Sequence, residues 1–289
     1  MTRREEILST VSRVVAIPCC ATKAAAMLCD PDADMAELAL IIEHDPGLTA
    51  NLLKIVNASF FGGGKPMLTA REAIRRLGTL QVLQFIISTG VAPSFVHRID
   101  GYDLAPSMHL QHSVAVAMAA RELGRVLGLD APEHTFTAGL LSGIGKILLG
   151  TYVKINAKPI LALAMEQGLS FDQAEDAVLG INHAELGGIL LQSWGLPLDI
   201  TEVVCHHLRP DESPEPGVVL DLVHIGNALA KMIGVGLGVD GLNYVPSAAV
   251  IQRLGLTAEI VDRVSANVVV ELRTVWSLFL ECAEDACPV

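Results

Sequence analysis

Residues 107–128 read Ser107-Met-His-Leu-Gln-His112-Ser-Val-Ala-Val-Ala-Met-Ala-Ala-Arg-Glu-Leu-Gly-Arg-Val-Leu127-Gly128. Apolar side chains recur at helical spacing over twenty-one residues, and Gly128 supplies a left-handed C-terminal stop. The stretch predicts one long amphipathic helix over 107–127. Helical signals recur on both sides of it, and alternating strand patterns do not. Thr2-x-x-Glu5 and Thr69-x-x-Glu72 are capping boxes, and helices follow each. Asp34-x-x-Glu37 and Asp45-Pro46 open two more. Pro132 begins a run to Leu149 that contains Gly139, Gly143 and Gly145. Further helices are predicted near 158–166, 171–179, 183–193, 199–207, 218–233, 247–254 and 258–283. The fold class is therefore all-α, in two packed helical lobes, residues 1–100 and 101–289.

Composition agrees. Aromatic residues make up only 4% of the 289, and hydrophobic residues 51%, which suits helix-on-helix packing. The net charge is −12. Residues 1–100 carry ten basic and ten acidic side chains, so the whole excess lies after residue 100. An acidic total argues against a nucleic-acid partner, because phosphate contacts need clustered Lys and Arg. Mean hydropathy is high, +0.47. The most apolar stretch, 82–96, is nevertheless broken by Gln84, Ser88, Gly90 and Pro93, short of the ~18 residues a bilayer span needs. No membrane partner is expected. The first residues carry charges of both signs with no apolar run after them, so a cytoplasmic location is expected. Six cysteines include no C-x-x-C pair and read as buried thiols.

Two glycine motifs are set aside. Gly236-Leu-Gly238-Val-Asp-Gly241 matches G-x-G-x-x-G, but a helix rather than a strand precedes it, so it reads as a flexible loop. Gly62-Gly63-Gly64-Lys65 is followed by Pro66 and is no phosphate loop. Arg209–Gly217 reads as an exposed loop, and Arg71, Arg75 and Arg76 as a solvated basic face.

The informative residues are histidines. His112, His183, His206 and His207 each lie on or at the end of a predicted helix, the way bundles build metal sites. His206 and His207 point about 100° apart, so one can face a cavity while the other braces it.

The chain resembles the HD-related output domain (HDOD) family. In the first lobe the matching runs include Ile41-Ile-Glu-His-Asp45-Pro-Gly-Leu-Thr-Ala50, Leu52-Leu-Lys-Ile-Val-Asn57 and Ala73-Ile-Arg-Arg-Leu77-Gly78. In the second they are His112-Ser113, Ala138-Gly-Leu-Leu141, Ile144-Gly-Lys-Ile147, Asn182-His183-Ala-Glu-Leu-Gly-Gly188, Trp194-Gly-Leu-Pro197 and His206-His207. The resemblance implies a second lobe like that of the HD-type metal-dependent phosphohydrolases, in which a His-Asp pair follows the Gly-Leu-Leu stretch and metal activates water. This chain has Ser142-Gly143 there, and Asn227 near the position of a later metal-binding aspartate. Without bridging carboxylates two dications would repel each other uncompensated.

The expectation is a non-catalytic signalling or regulatory module. It would act on a signalling protein partner in trans, or through a small ligand, and a homo-oligomer is compatible with it. Its vestigial pocket would comprise His112, Ser142, Gly143, His183, His206, His207 and Asn227, with no cofactor. The alternatives are a degenerate phosphohydrolase holding one divalent transition metal on His112, His183, His206 and His207, and a nucleotide second-messenger binder, whose sign would be Lys or Arg converging on the pocket. Restoring the pair through Ser142→His and Gly143→Asp should then add a metal-binding centre.

Overall fold

A computed structural model describes residues 2–11, 69–77, 98–132, 134–193 and 196–285, with single helical positions at 38, 39, 42 and 52; side chains are described as far as residue 273. The expected helices at Asp34 and Asp45, the Gly62-Gly63-Gly64 loop, the stretch 82–96, Trp194, and the cysteines at 19, 20, 29, 282 and 287 lie outside the described residues or side chains. The described residues are helical, with no strand beyond an isolated bridge between Ile99 and Leu104.

The helices, in chain order, are α1 (Arg3–Val11), α2 (Ala70–Leu77), α3 (Met108–Leu127), α4 (His134–Leu141), α5 (Gly145–Ile155) and α6 (Ala157–Gln167). They continue with α7 (Phe171–Leu179), α8 (His183–Ser193), α9 (Leu198–His206), α10 (Val218–Met232), α11 (Ala248–Arg253) and α12 (Ala258–Asp285). Among the described residues there are also three short 3₁₀ turns, Asp100–Tyr102, Pro210–Glu212 and Val239–Gly241. Starts follow the local chemistry. The amide of Glu5 donates to Thr2 Oγ1 (3.2 Å) while the amide of Thr2 donates to Glu5 Oε2 (2.9 Å), the reciprocal capping read from the sequence. The amide of Glu72 likewise donates to Thr69 Oγ1.

The chain divides into two units, one of residues 1–14, 94–193 and 198–289, the other of 15–93 and 194–197. This differs from a cut at residue 100, because α1 belongs with the larger unit. Arg4 pairs with Glu185 and donates to the carbonyl of Gly180, and Arg3 donates to that of Val178. In the smaller unit α2 buries Ala73, Ile74 and Leu77 and exposes Arg71, Arg75 and Arg76.

In the larger unit α3 is the central element, packed by α10, α4 and α12. Its middle, from Ser113 to Ala120, is buried throughout. A helix apolar on all sides belongs inside, and its alanines let neighbours approach to backbone contact. A Cβ on Gly226 of α10 would lie 2.8 Å from the carbonyl oxygen of Val116. The run expected from Pro132 to Leu149 is two helices, broken at Ser142–Ile144. His134–Ile155 has the length and hydropathy of a membrane span, but most of it is buried within this unit as a core segment. The Arg209–Gly217 loop is anchored at one end, where Arg209 bridges Asp172 (2.7 Å) and Asp176 (2.5 Å).

Candidate functional site

The break between α4 and α5 faces a buried polar centre in the larger unit. His112, on the second turn of α3, lies 2.9 Å through Nδ1 from the carbonyl oxygen of Val235 and 3.0 Å through Nε2 from the side-chain amide of Asn227 on α10. Carbonyl oxygen only accepts, so Nδ1 carries the proton and Nε2 the lone pair. Oδ1 of Asn227 is the atom placed 3.0 Å from Nε2; with the amide turned end for end, its NH2 donates to that nitrogen. Both ring nitrogens of His112 are thus spent within the protein.

His183, at the start of α8, is held differently. Its Nδ1–H donates to Glu175 Oε2 (2.7 Å), and its backbone amide donates to the same oxygen (3.0 Å). Tyr102 OH donates to the other carboxylate oxygen (2.5 Å). Glu175 is fully buried, and these three donors replace its lost hydration. His207 donates Nδ1–H to the carbonyl of Val204 (2.8 Å), and its ring meets that of His183 edge-on, centroids 6.4 Å apart. His207, held neutral by burial, retains an Nε2 lone pair. His206 is not part of the group: it lies half-buried on the last turn of α9, 3.5 Å from Glu202. His224, a further buried histidine, is a structural brace. It donates to the carbonyl of His207 and accepts from the amide of Ser247.

Ser142 turns its hydroxyl back to the carbonyl of Gly139 (2.8 Å). Gly143 abuts a residue that the sequence reading passed over. A Cβ there would lie 2.6 Å from Cε1 of His109, whose ring is fully buried. A side chain at 143 therefore requires the buried His109 ring to shift, so the exchange of Ser142-Gly143 for His-Asp meets that ring before it can add ligands.

Lys146 and Asp240 also belong to this centre. Lys146, on the first turn of α5, has its Nζ 2.7 Å from Asp240 Oδ2, and both side chains are 4% exposed. Lys231, at the end of α10, donates to the backbone carbonyl of Asp240 (3.1 Å) and has its Nζ 3.7 Å from the same carboxylate oxygen. That ammonium also sits 4.0 Å from the centroid of the Tyr244 ring, a favourable placement over a π face. Asp240 arrives on the Gly236–Gly241 motif, which is a tightly docked strap instead of a flexible loop. A Cβ at Gly236, where φ is +60°, would lie 2.2 Å from the carbonyl oxygen of Met108, and one at Gly238 would lie 2.1 Å from that of Tyr102. Only residues without a side chain let the strap carry Asp240 this deep.

Burial sets the electrostatics, and the lysines sharpen them. Burial, with Lys146 nearby, lowers His112 to about 4 and pushes His109 well below the usual imidazole range. Burial lowers His207 and His224 as well, so all four are neutral at pH 7. Burial brings Lys231 down to about 8. Burial would raise Asp240, but Lys146 and Lys231 outweigh it and hold the carboxyl well below its ordinary value. Burial and Glu175 hold the Tyr102 phenol protonated. Replacing Tyr102 by phenylalanine removes one of three donors to a buried carboxylate. The expected loss is about 2 kcal/mol, read as a lower denaturation midpoint at unchanged denaturant slope.

This donor set does not fit the dications of an HD hydrolase. His112 has both ring nitrogens engaged, His206 is elsewhere, and the buried carboxylates of Asp240 and Glu175 are already taken, by Lys146 and by Tyr102 and His183. Among the described residues no group of three His, Cys, Asp or Glu side chains is placed to hold a metal ion.

The HDOD domain family model matches residues 14–210. The chain belongs to the HDOD family. Among solved structures, an HDOD domain protein of unknown function from Geobacter sulfurreducens is 21% identical, with a TM-score of 0.70 over 99% of this chain and 98% of that one. A protein from Marinobacter aquaeolei VT8, provisionally described as a signal transduction protein, is 20% identical, with a TM-score of 0.72 over 96% of this chain and 64% of that one. One from Shewanella amazonensis SB2B, provisionally described as a phosphohydrolase, is 22% identical, with a TM-score of 0.65 over 91% and 93%. At these identities the likeness is one of fold. An uncharacterized protein of Treponema pallidum (strain Nichols) is 22% identical over 187 residues, 64% of this chain but only 36% of that protein's length.

The HDOD match ends before Asn227, Lys231, Asp240 and Tyr244, which complete the centre. Sequence reasoning missed the roles of Tyr102, His109, Glu175 and Lys231, and quoted Lys146 and Asp240 only within motifs. One signal was available for the two lysines: each stands alone in an otherwise apolar run, Ile144–Leu149 and Ala228–Ile233.

Proposed function

We propose that this HDOD protein is a non-catalytic signalling or regulatory module that acts through a protein partner or a small ligand, its HD-type metal centre replaced by an internal ion pair. The observation that carries this reading is the replacement at Ser142-Gly143, with the ring of His109 packed where a side chain at 143 would stand. The pair Lys146–Asp240 supports it further. Water activation in the HD hydrolases depends on a metal, and here an ammonium repels one. The fold shared with a protein described as acting in signal transduction points the same way.

Elemental analysis of protein purified without added metal tests the reading. Well under one equivalent of any transition metal is expected, with no chelator-sensitive turnover of nucleotides or cyclic dinucleotides above a His112→Ala control. One equivalent of zinc, iron or nickel, lost in His183→Ala, would put the hydrolase first. A gain-of-site experiment complements it. Ser142→His with Gly143→Asp is expected to clash with His109 and to gain no metal affinity. The same pair combined with His109→Ala has the missing space, and should bind zinc or manganese at least about tenfold more tightly than the parent, since an added imidazole and carboxylate are strong donors.

A further inference from the structure

Two buried ammonium groups from different helices, Lys146 of α5 and Lys231 of α10, converge on one carboxylate. A single Asp240 cannot neutralise both. Of the other acidic groups at the centre, Glu175 is engaged by Tyr102 and His183. Asp240 itself belongs to neither helix. It is delivered by the glycine strap, whose backbone lies directly on Met108 and Tyr102. The charge logic is the reverse of a metal site: two cations surround an anion that the chain inserts from outside the helical core.

We propose that the Lys146–Lys231 pair is an oxyanion site for a small phosphate-bearing ligand, and that Asp240 fills it from within and competes with that ligand. Paired lysines are point-charge binders of phosphate, and in a dry site their attraction for an anion is far stronger than at the surface. A carboxylate is the nearest equivalent that a protein side chain offers. Convergence of lysines at this centre is also the sign expected of a nucleotide second-messenger binder. The inference rests on the non-catalytic reading, and its test leaves that reading standing, because metal content decides one and anion binding the other.

The test compares wild type, Asp240→Asn, and the double variant Lys146→Met with Asp240→Asn. Inorganic phosphate and pyrophosphate are the probes, with ionic strength held constant by chloride. Asp240→Asn keeps the side-chain volume and removes the competing charge. It is expected to bind the probes saturably, by calorimetry and by a rise in Tm, at least tenfold more tightly than wild type. The double variant should lose this binding. Absence of saturable binding to a folded Asp240→Asn protein would overturn the proposal, as would equal affinity in wild type or binding that survives Lys146→Met. If Asp240→Asn does not fold, Asp240→Gly is titrated with acetate, which supplies the missing carboxylate. Recovery of the helical circular dichroism signal by acetate but not by chloride supports the site, and failure to recover overturns it.

Discussion

Replacing Lys146 by methionine should lower stability by about 3 kcal/mol, the low end of what breaking a buried ion pair costs. The low end applies because Lys231 remains 3.7 Å from the same Asp240 oxygen and partly compensates it. At about 2–4 °C per kcal/mol for chains of this size, Tm should fall by roughly 6–12 °C. The double variant with Asp240→Asn should lose less than the two single changes added together, because each single change strands a buried charge that the double change does not. A Lys146→Met protein within about 2 °C of the parent would mean that the pair contributes nothing to the fold.

Acid should unfold the larger unit well before its carboxylates titrate. The sign follows from the histidines. His109, His112, His207 and His224 are all held below the ordinary imidazole value by burial. The unfolded chain therefore binds more protons than the folded one once the pH drops below about 6.5, and stability falls as the pH falls. For His112 alone, lowered to about 4, the contribution is about 3 kcal/mol, complete above pH 6.5 and lost by pH 4. The other three add to it, against a total stability of about 5–15 kcal/mol. Asp172, held low by the Ser170 side chain and by Arg209, and Asp240, held low by the two lysines, both against the opposing effect of burial, extend the loss to still lower pH. Denaturant midpoints should drop steeply between pH 7 and 4.5. Replacing His112 by glutamine should flatten that slope by the equivalent of one proton. A midpoint constant over this range would refute the assignment of neutral buried imidazoles.

The helical skeleton was legible because local chemistry writes it. The long α3 runs from Met108 to Leu127 with Gly128 at φ +64°, as the 107–128 stretch indicates, and the capping boxes at Thr2 and Thr69 start helices where they stand. The break at Ser142–Ile144 was not legible, since three glycines in an apolar run do not say which one interrupts the helix. The histidines stood out because imidazoles on or at the ends of predicted helices are how bundles build metal sites, yet their fates differ for reasons of tertiary structure. His112 is consumed by Asn227, 115 residues away, and His206 turns away from the centre. The charged partners were invisible for the same reason. Lys146 and Asp240 are 94 residues apart, and Asp240 lies in a glycine-rich segment whose default reading is a solvated loop. Burial of a charge is a property of the pair, and a sequence displays its members singly.

The contact of His109 with Gly143 also bears on how such a chain can change over generations. A single substitution of aspartate at 143 meets an imidazole 2.6 Å from its Cβ, so the buried ring of His109 must shift before a carboxylate can stand there. A small residue at 109 would have to come first, and it would leave a cavity in the core with no benefit to offset it. The two positions are therefore coupled: the ring at 109 and a side chain at 143 exclude each other where they now stand, and a carboxylate at 143 calls for a change at both.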